Sequence, residues 1–556
     1  MDNNQIAGSF SLLAKLTEIH GENSFKAKSY ASASFAIEKL PGQLCDIPHE
    51  KIYSIKGIGE STGKKIIELL TSGSLLALDE LISKTPAGVM ELMNIKGIGP
   101  KKIATIWKEM EIESVGELLY ACKENRLKLY KGFGEKTQQN VTETIEFYLK
   151  SKGSFLFSQI NLMANEVKIF FEKIFLTNKM ELTGSYIRQL EIIHELQLVI
   201  DDTTQNIEEK LLAATDFELI EKNQYNLLYR ASVGLKIRLY GCDVKPLMEQ
   251  VFFLNCSEVF GESFAAQNPG INYNNCESEA AIFAEANCNI IPACQRENIS
   301  VINMAMLAPL PALLQTTDIK GIIHSHSNWS DGNYTIEEMA KAAIDKGFEY
   351  LVISDHSKSA FYANGLKEDR IREQHIYIDE LNKQFAPFKI FKSIESDILN
   401  DGSLDYSKEI LNSFDLVIAS VHSNLKMTEE KAMMRLLAAI ENPYTTILGH
   451  MTGRLLLSRK GYPVDHKKII DACAANNVVI ELNAHPSRLD MDWRHIEYAL
   501  EKNVMISIDP DAHSLDGFDD IQYGVFAAQK AMVTKENNLS SFSLQQFEQY
   551  LLNRKN

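Results

Sequence analysis

From about residue 318 to its end, the chain alternates short apolar runs with amphipathic stretches. The runs are DIKGIIHSH, YLVISDH, IFKSIESD, DLVIASVH, TTILGH, VVIELNAH and VMISIDPDAH. Near-continuous apolar runs mark strands buried on both faces, and helical-period stretches between them mark the crossovers that parallel strands need. The pattern predicts a barrel or open sheet of parallel strands. Each run ends in a histidine or a carboxylate. In a parallel barrel the C-terminal strand ends meet at one mouth, so residues far apart in sequence converge there.

The first 150 residues follow a different rhythm. IKGIGESTGKKI (55–66) and IKGIGPKKIATI (95–106) share a hydrophobic-Gly-hydrophobic-Gly turn before a helix, and YKGFGEKTQQNV (130–141) is a looser third copy. Gly57 and Gly59, like Gly97 and Gly99, permit a tight turn between helices. The N–H groups at the start of the second helix then face outward and can hold a phosphate. Lys64, Lys65, Lys101 and Lys102 add positive charge beside them. Glycine turns inside a plain helical bundle are the bland alternative, and the duplicated spacing with flanking lysines favours contact with DNA backbone. The pattern resembles the helix-hairpin-helix motif, which grips that backbone without reading sequence.

Composition narrows the class. A chain of 556 residues, 45% hydrophobic and 24% charged, is expected to form several globular domains. No apolar run reaches membrane-spanning length, and VINMAMLAPLPALL (301–314) is short and broken by prolines. The N-terminal MDNNQIAGSF lacks the basic stretch and apolar core of a signal peptide, and the eight cysteines contain no CxxC pair. A cytoplasmic, membrane-free protein is expected. Residues 1–150 carry 19 Lys+Arg and 19 Asp+Glu, so the net charge of −17 falls entirely on residues 151–556. DNA contact therefore requires a local surface, and the N-terminal third is where one can lie.

SFKAKSYASASFAIEKL (24–40), the hairpins and LTGSYIRQLEIIHELQLVI (182–200) together resemble an X-family DNA polymerase, with lyase-like, fingers and palm domains. The resemblance implies a Gly-Ser loop that cradles triphosphate and three strand aspartates that hold two magnesium ions. Gly184, Ser185 and Arg188 persist, but the carboxylate positions are Glu195, Gln197 and Lys236. An ammonium at a ligand position repels a cation and offers it no oxygen. The thumb's Thr-Gly-Ser turn aligns with Asn255, Cys256 and Ser257, and the stretch after it is short. The expectation is a palm kept as scaffold, with synthesis lost; Glu191 and Glu195 are out of register for substitute ligands. Lys65 falls where the family's lyase places a Schiff-base lysine, and phosphate contact or plain solvation is the alternative there.

His324 and His326, at i and i+2, are expected on one face of one strand, as a chelating pair requires. Ten of thirteen histidines lie between residues 324 and 513. Imidazoles with carboxylates suit zinc, manganese or iron rather than calcium. His324, His326, Asp331, His356, Glu395, His422, His450, Asp511 and His513 fill all nine ligand positions of the PHP (polymerase and histidinol phosphatase) family, which the segment resembles. That resemblance implies a distorted seven-stranded barrel with three divalent ions. His324, His326, Glu395 and Asp511 would hold one, Glu395 would bridge to a second held by His422 and His450, and Asp331, His356 and His513 would hold the third. Asp355, Asp397, Glu481, Asn483 and Asp509 are expected to orient the ligands, and Arg454 to steady a phosphate. His485 is not among the family's ligands, and His375, His466 and His495 are expected on the surface.

The two halves together resemble the bacterial X-family polymerase fused to a PHP domain. The expected division is 1–85 lyase-like, 86–152 fingers-like, 153–300 degenerate palm and shortened thumb, 301–317 linker and 318–556 PHP barrel. The expected function is a metal-dependent DNA phosphodiesterase, a 3′–5′ exonuclease or related repair nuclease, acting on gapped DNA or a free 3′ end. Manganese or zinc is the expected metal, with iron as an option. A small-molecule phosphatase, a non-catalytic DNA scaffold and an active repair polymerase with exonuclease are the alternatives.

Overall fold

The computed structural model describes residues 1–40, 42–150, 153–176, 179–212, 216–231 and 234–555. The expected boundary at 152 lies outside the described residues. The chain divides into two compact bodies, residues 1–123 with 127–148, and residues 124–126 with 149–556.

The first body is helical, and the three glycine turns shape it alike. Gly57, Gly97 and Gly132 have φ of +96°, +93° and +93°, a left-handed conformation that costs a residue with a Cβ roughly 1–2 kcal/mol. The apolar residue that follows each of them, Ile58, Ile98 or Phe133, is buried and closes a turn onto Ile55, Ile95 or Tyr130. Gly59 and Gly99 then cap the helices Glu60–Ser72 and Pro100–Lys108 without a side-chain hydrogen bond, which leaves the first-turn N–H groups open. The third copy, looser in sequence, has the same backbone: Gln138 N–H donates to Gly134 O at 3.0 Å, as Gly63 does to Gly59 O at 2.8 Å.

The second body contains two main sheets. The smaller has strands β1 (Met180–Thr183), β2 (Leu196–Ile200), β3 (Phe217–Lys222), β4 (Asn226–Ala231) and β5 (Lys236–Tyr240), in the order β1-β2-β5-β4-β3. Its buried face carries Leu182, Leu196, Leu198, Ile237 and Leu239 against the helix Ala164–Phe175. A separate aromatic cluster of Phe252, Phe260, Phe264 and Phe283 follows it.

The larger sheet is parallel throughout and has seven strands. They are β6 (Gly321–Ile322), β7 (Tyr350–Ile353), β8 (Lys389–Asp397), β9 (Leu416–Ser420), β10 (Ile447–Leu448), β11 (Val479–Asn483) and β12 (Ile506–Asp509), ordered sequentially. Each lies in one of the seven apolar runs. A parallel bridge between Ser325 and Ala512 joins the first strand's extension to the last, so the barrel is nearly closed at its C-terminal mouth. The strand residues other than Lys389 and Lys392 are buried, as the apolar runs require, and helices such as Ile336–Asp345 and Glu368–Phe385 cover the outside. Among the described residues, no helix is long and apolar enough to cross a membrane.

Candidate metal centre

All seven strands deliver side chains to the mouth, but not always by strand alternation. β6 ends at Ile322, and His324 lies beyond it with φ +60°. A bend, rather than the expected two-residue strand period, brings His324 and His326 together, with ring centroids 5.3 Å apart. Backbone pairing with the last strand's extension fixes the bend: His326 N–H donates to Ala512 O at 2.8 Å, and Ala512 N–H to His324 O at 3.2 Å.

Glu395, near the end of β8, lies at the centre. Its Oε1 is 3.3 Å from His324 Nε2, 3.1 Å from His422 Nε2 and 2.9 Å from His450 Nε2, and its Oε2 is 2.9 Å from His356 Nδ1. Asp511 Oδ1 is 3.1 Å from His326 Nε2 and 3.4 Å from His324 Nε2. Asp331 reaches His513 Nε2 at 3.5 Å and His356 Nε2 at 3.6 Å. Three overlapping groups have chelating geometry: His326, Asp331, His356 and His513; His324, His326 and Asp511; and His356, Glu395 and His422.

Hydrogen bonding supports a cation-binding role. His324 Nε2, His326 Nδ1, Asp331 Oδ2, His356 Nδ1, Glu395 Oε2, His450 Nδ1 and His513 Nε2 are buried without hydrogen-bond partners among the described residues. Buried polar atoms in that state cost about 1–3 kcal/mol each, a penalty that metal coordination removes. Burial disfavours ionising Glu395 and is the largest single effect on it, yet His422, His324 and His356 together hold its carboxyl well below the usual carboxylate range. Burial, then the neighbouring charges of His513 and His356, pushes His326 down to about 3, which keeps an imidazole lone pair free. The donor set of imidazoles and carboxylates fits a transition ion.

Further residues aim the candidate ligands. Glu481 Oε1 is 2.5 Å from His324 Nδ1, and its Oε2 accepts the His450 backbone N–H at 2.5 Å. Asp397 Oδ1 is 2.5 Å from His422 Nδ1, which turns the other ring nitrogen toward Glu395. Asn483 Nδ2 donates to Asp511 Oδ2 at 3.1 Å. Asp355 accepts from Ser327 N–H, Ser327 Oγ, Ser330 Oγ and Gln374 Nε2, and so holds the turn that presents Asp331. Asp509 sits deeper; burial and the charge of Glu481 push its carboxyl up to about 8.

Several expected roles differ. Arg454 donates to Asp492 Oδ2 at 2.5 Å and to the carbonyls of Arg488 and Leu489, so its donors brace the 488–492 segment rather than await a phosphate. Arg488 lies at the cluster, buried with Nε 3.7 Å from Asp511 Oδ2. Sequence pattern gave no sign of it, since it follows a strand end in an irregular loop. His375 is half-buried with its ring edge on Phe414, and His466 and His495 stack at 3.8 Å, so none of the three is a free surface residue. His485 is a turn residue whose Nδ1 accepts the Ser487 N–H. Residues 124–126 also pack in this body: Asn125 Nδ2 donates to Asn333 Oδ1 at 2.7 Å, and the Arg126 guanidinium lies 4.3 Å from the Tyr362 ring centroid.

The palm positions are closed by their own side chains. Glu195 accepts from Arg238 Nε at 2.9 Å and from Gln197 Nε2 at 2.6 Å. Arg238, the register partner of Gln197 on β5, faces the same side as Lys236. Gly184, with φ +77°, packs so closely on Gln197 that a Cβ would lie 2.1 Å from its Oε1. Ser185 stands in the same turn, its carbonyl accepting Leu190 N–H at 3.0 Å. Arg188 donates to Glu297 at 2.6 Å and to the carbonyls of Leu254 and Cys256, and Glu191 accepts from Trp493 and Arg494, toward the barrel. In the hairpin body Lys64 pairs with Glu60 at 2.8 Å on an exposed face, Lys101 is exposed, and Lys65 and Lys102 are partly exposed.

The fold and site define a class: helix-hairpin-helix modules joined to a barrel of the metal-dependent PHP type. Family models match accordingly, a helix-hairpin-helix domain over residues 1–75, a SAM-like helix-hairpin-helix tandem over 89–146 and a PHP domain over 323–485. The chain is 30% identical over 565 aligned residues to the DNA polymerase/3′-5′ exonuclease PolX of Bacillus subtilis (strain 168), covering 97% of each protein. It belongs to the PolX family. The barrel alone is also similar to a probable phosphatase of Acetivibrio thermocellus, 29% identical over 34% of this chain and 78% of that protein. A probable phosphatase YcdX of Escherichia coli O81 (strain ED1a) is 27% identical over 29% of this chain and 62% of that protein.

Proposed function

We propose that the protein is a metal-dependent DNA phosphodiesterase that removes nucleotides from a 3′ end, working in the cytoplasm on gapped DNA or a free 3′ terminus. The convergence of nine ligand-type residues at one barrel mouth carries this reading. His324, His326, Glu395 and Asp511, then His422 and His450, then Asp331, His356 and His513 are assigned to three ions, manganese or zinc, with iron as an option. Ions held by these residues would supply an acidified water and charge neutralisation for a phosphodiester. Glu481, Asp397 and Asn483 fix the donor atoms of the ligands, so the geometry is set before substrate arrives. Arg488 adds a cation beside Asp511 that favours an anionic substrate. Gly57, Gly59, Gly97 and Gly99, with Lys64, Lys65, Lys101 and Lys102, would hold DNA backbone. The domain division at 85, 152, 300 and 317 belongs to this reading.

Synthesis is absent in this reading, because Arg238 neutralises Glu195 and Gln197 occupies the space above Gly184. The test is end-labelled DNA incubated with manganese or zinc, with and without nucleotides. Progressive shortening without extension, abolished in His324→Ala, is expected. Extension in the presence of nucleotides would refute the loss of synthesis, and absence of shortening would refute the nuclease. The similarity of the barrel to probable phosphatases favours one second reading, a small-molecule phosphatase, which predicts hydrolysis of phosphomonoesters and none of DNA.

A further inference from the structure

The loop that follows ligand His356 carries two adjacent aromatics that the metal chemistry does not use. Its neck is fixed. Ser357 and Leu366 form a parallel bridge, Leu366 N–H donates to His356 O at 2.9 Å, and Ser357 N–H donates to Glu395 O at 3.0 Å. Gly365 packs so tightly that a Cβ there would lie 1.9 Å from Ser357 O, and Asn364 turns through φ +56°. Asn364 Nδ2 donates to Trp329 O at 3.2 Å, and Arg370 donates to the carbonyls of both Asn364 and Trp329. The loop is thus pinned to the turn that presents Asp331. It is not a loose surface excursion.

Within it, Ala360, Ala363 and Leu366 are buried, whereas Phe361 at the apex is 81% exposed. A lone exposed phenylalanine is ordinary. This one adjoins Tyr362, whose hydroxyl is buried with no hydrogen-bond partner among the described residues. The two rings meet edge-on, centroids 5.8 Å apart. Burial, the largest influence, keeps the phenol protonated against the opposing charge of the Arg126 guanidinium, which lies 4.3 Å from the ring centroid, so the hydroxyl is a donor. A donor held there without an acceptor matches an oxygen of an incoming phosphate, and an exposed ring beside it matches a base.

We propose that Phe361 and Tyr362 form a terminal-nucleotide clamp: Phe361 stacks on the unpaired 3′-terminal base, while Tyr362 donates its hydroxyl hydrogen bond to the phosphate being cleaved. The proposal rests on the nuclease reading and deepens it by naming the two residues that would position the terminal nucleotide. Stacking is tolerant of base identity because every base offers a π face. A duplex end must fray before it can enter, so cleavage of blunt duplex lags behind that of single strands.

The test uses the full chain and two readouts. Oligonucleotide hydrolysis is compared with that of bis(p-nitrophenyl) phosphate, which has no base. Binding is read separately from the fluorescence of a 3′-terminal 2-aminopurine on a single strand titrated with the His324→Ala protein. Phe361→Leu is expected to raise KM for the oligonucleotide about tenfold, the usual scale for one base–aromatic stack, with kcat affected less. Phe361→Trp restores KM, because it restores the π face. The 2-aminopurine quench disappears in Phe361→Leu/His324→Ala and persists in Phe361→Trp/His324→Ala. Tyr362→Phe lowers kcat/KM about tenfold on both substrates, the scale for one hydrogen bond to a charged group. Equal KM and equal quench for the leucine and tryptophan variants would overturn the stacking role, and an unchanged kcat/KM in Tyr362→Phe would overturn the phosphate contact. A wild-type protein that cleaves no DNA refutes the nuclease reading instead, and the 2-aminopurine quench still decides whether Phe361 receives a base.

Discussion

Glu481 shows how much of the site depends on a residue outside the ligand set. One carboxylate holds the His324 ring and the His450 backbone together, so it sets two candidate ligands at once. Replacing such a partner typically weakens metal affinity roughly 10–100-fold, and Glu481→Gln should do so in competition with a fluorescent chelator. Retained affinity would show that the ring orientations are set elsewhere. Arg454 makes a different prediction. Because its guanidinium braces the 488–492 segment, Arg454→Met should lower unfolding free energy by about 1–3 kcal/mol in a urea titration. It should leave metal content unchanged. Histidines and carboxylates at the ends of the apolar runs were legible in sequence as candidate ligands, whereas the full set of nine, Asp331 included, came from the resemblance to the PHP family. Arg488, Tyr362 and Arg238 were not legible: two lie in irregular loops, and the third is one position among many on a strand. The bend at His324 was also illegible, because backbone pairing to Ala512, nearly two hundred residues away, imposes it.

At the level of elements, the repeated glycine hairpins and the seven strands were the parts most readable from pattern. Period and spacing report local backbone needs, such as the left-handed φ at Gly57 and Gly97. The third hairpin read as looser because its apolar residue is Phe133 rather than isoleucine, yet the backbone tolerates that exchange. Lys101→Glu with Lys102→Glu should weaken DNA binding uniformly across sequences and flatten its dependence on salt by about one to two in log–log slope. An unchanged slope would place DNA on another surface. In the palm, the Glu195–Arg238 pair predicts that Gln197→Asp alone does not restore nucleotide incorporation, since Arg238 and Lys236 remain at the site. A primer-extension assay with magnesium or manganese checks this. Expected helix-surface positions for His375, His466 and His495 failed for a tertiary reason: neighbouring elements pack onto those helix faces, and periodicity within one helix does not report its neighbours.

For the whole molecule, the junction between palm and barrel contains a buried cation. Lys530 donates to Arg188 O, lies 5.1 Å from the Trp493 ring centroid, and is pushed down to about 8 by burial. A lysine whose folded value lies below its unfolded one destabilises the fold while protonated. Stability should therefore rise as pH increases from about 8 to the unfolded lysine value near 10.5, and stay lower below pH 8. The full span is on the order of 3 kcal/mol. Lys530→Met should flatten that rise in thermal unfolding measured at pH 7 and 9.5; an unchanged pH profile would show that the ammonium is solvated in the folded protein.

Mass-spectrometric metal analysis of protein purified without chelator tests directly whether the nine converging side chains hold transition ions. More than one and up to three manganese, zinc or iron ions per chain, reduced in Glu395→Gln, is the predicted result. A chain that takes up no such ion, even after incubation with manganese and zinc, would contradict it.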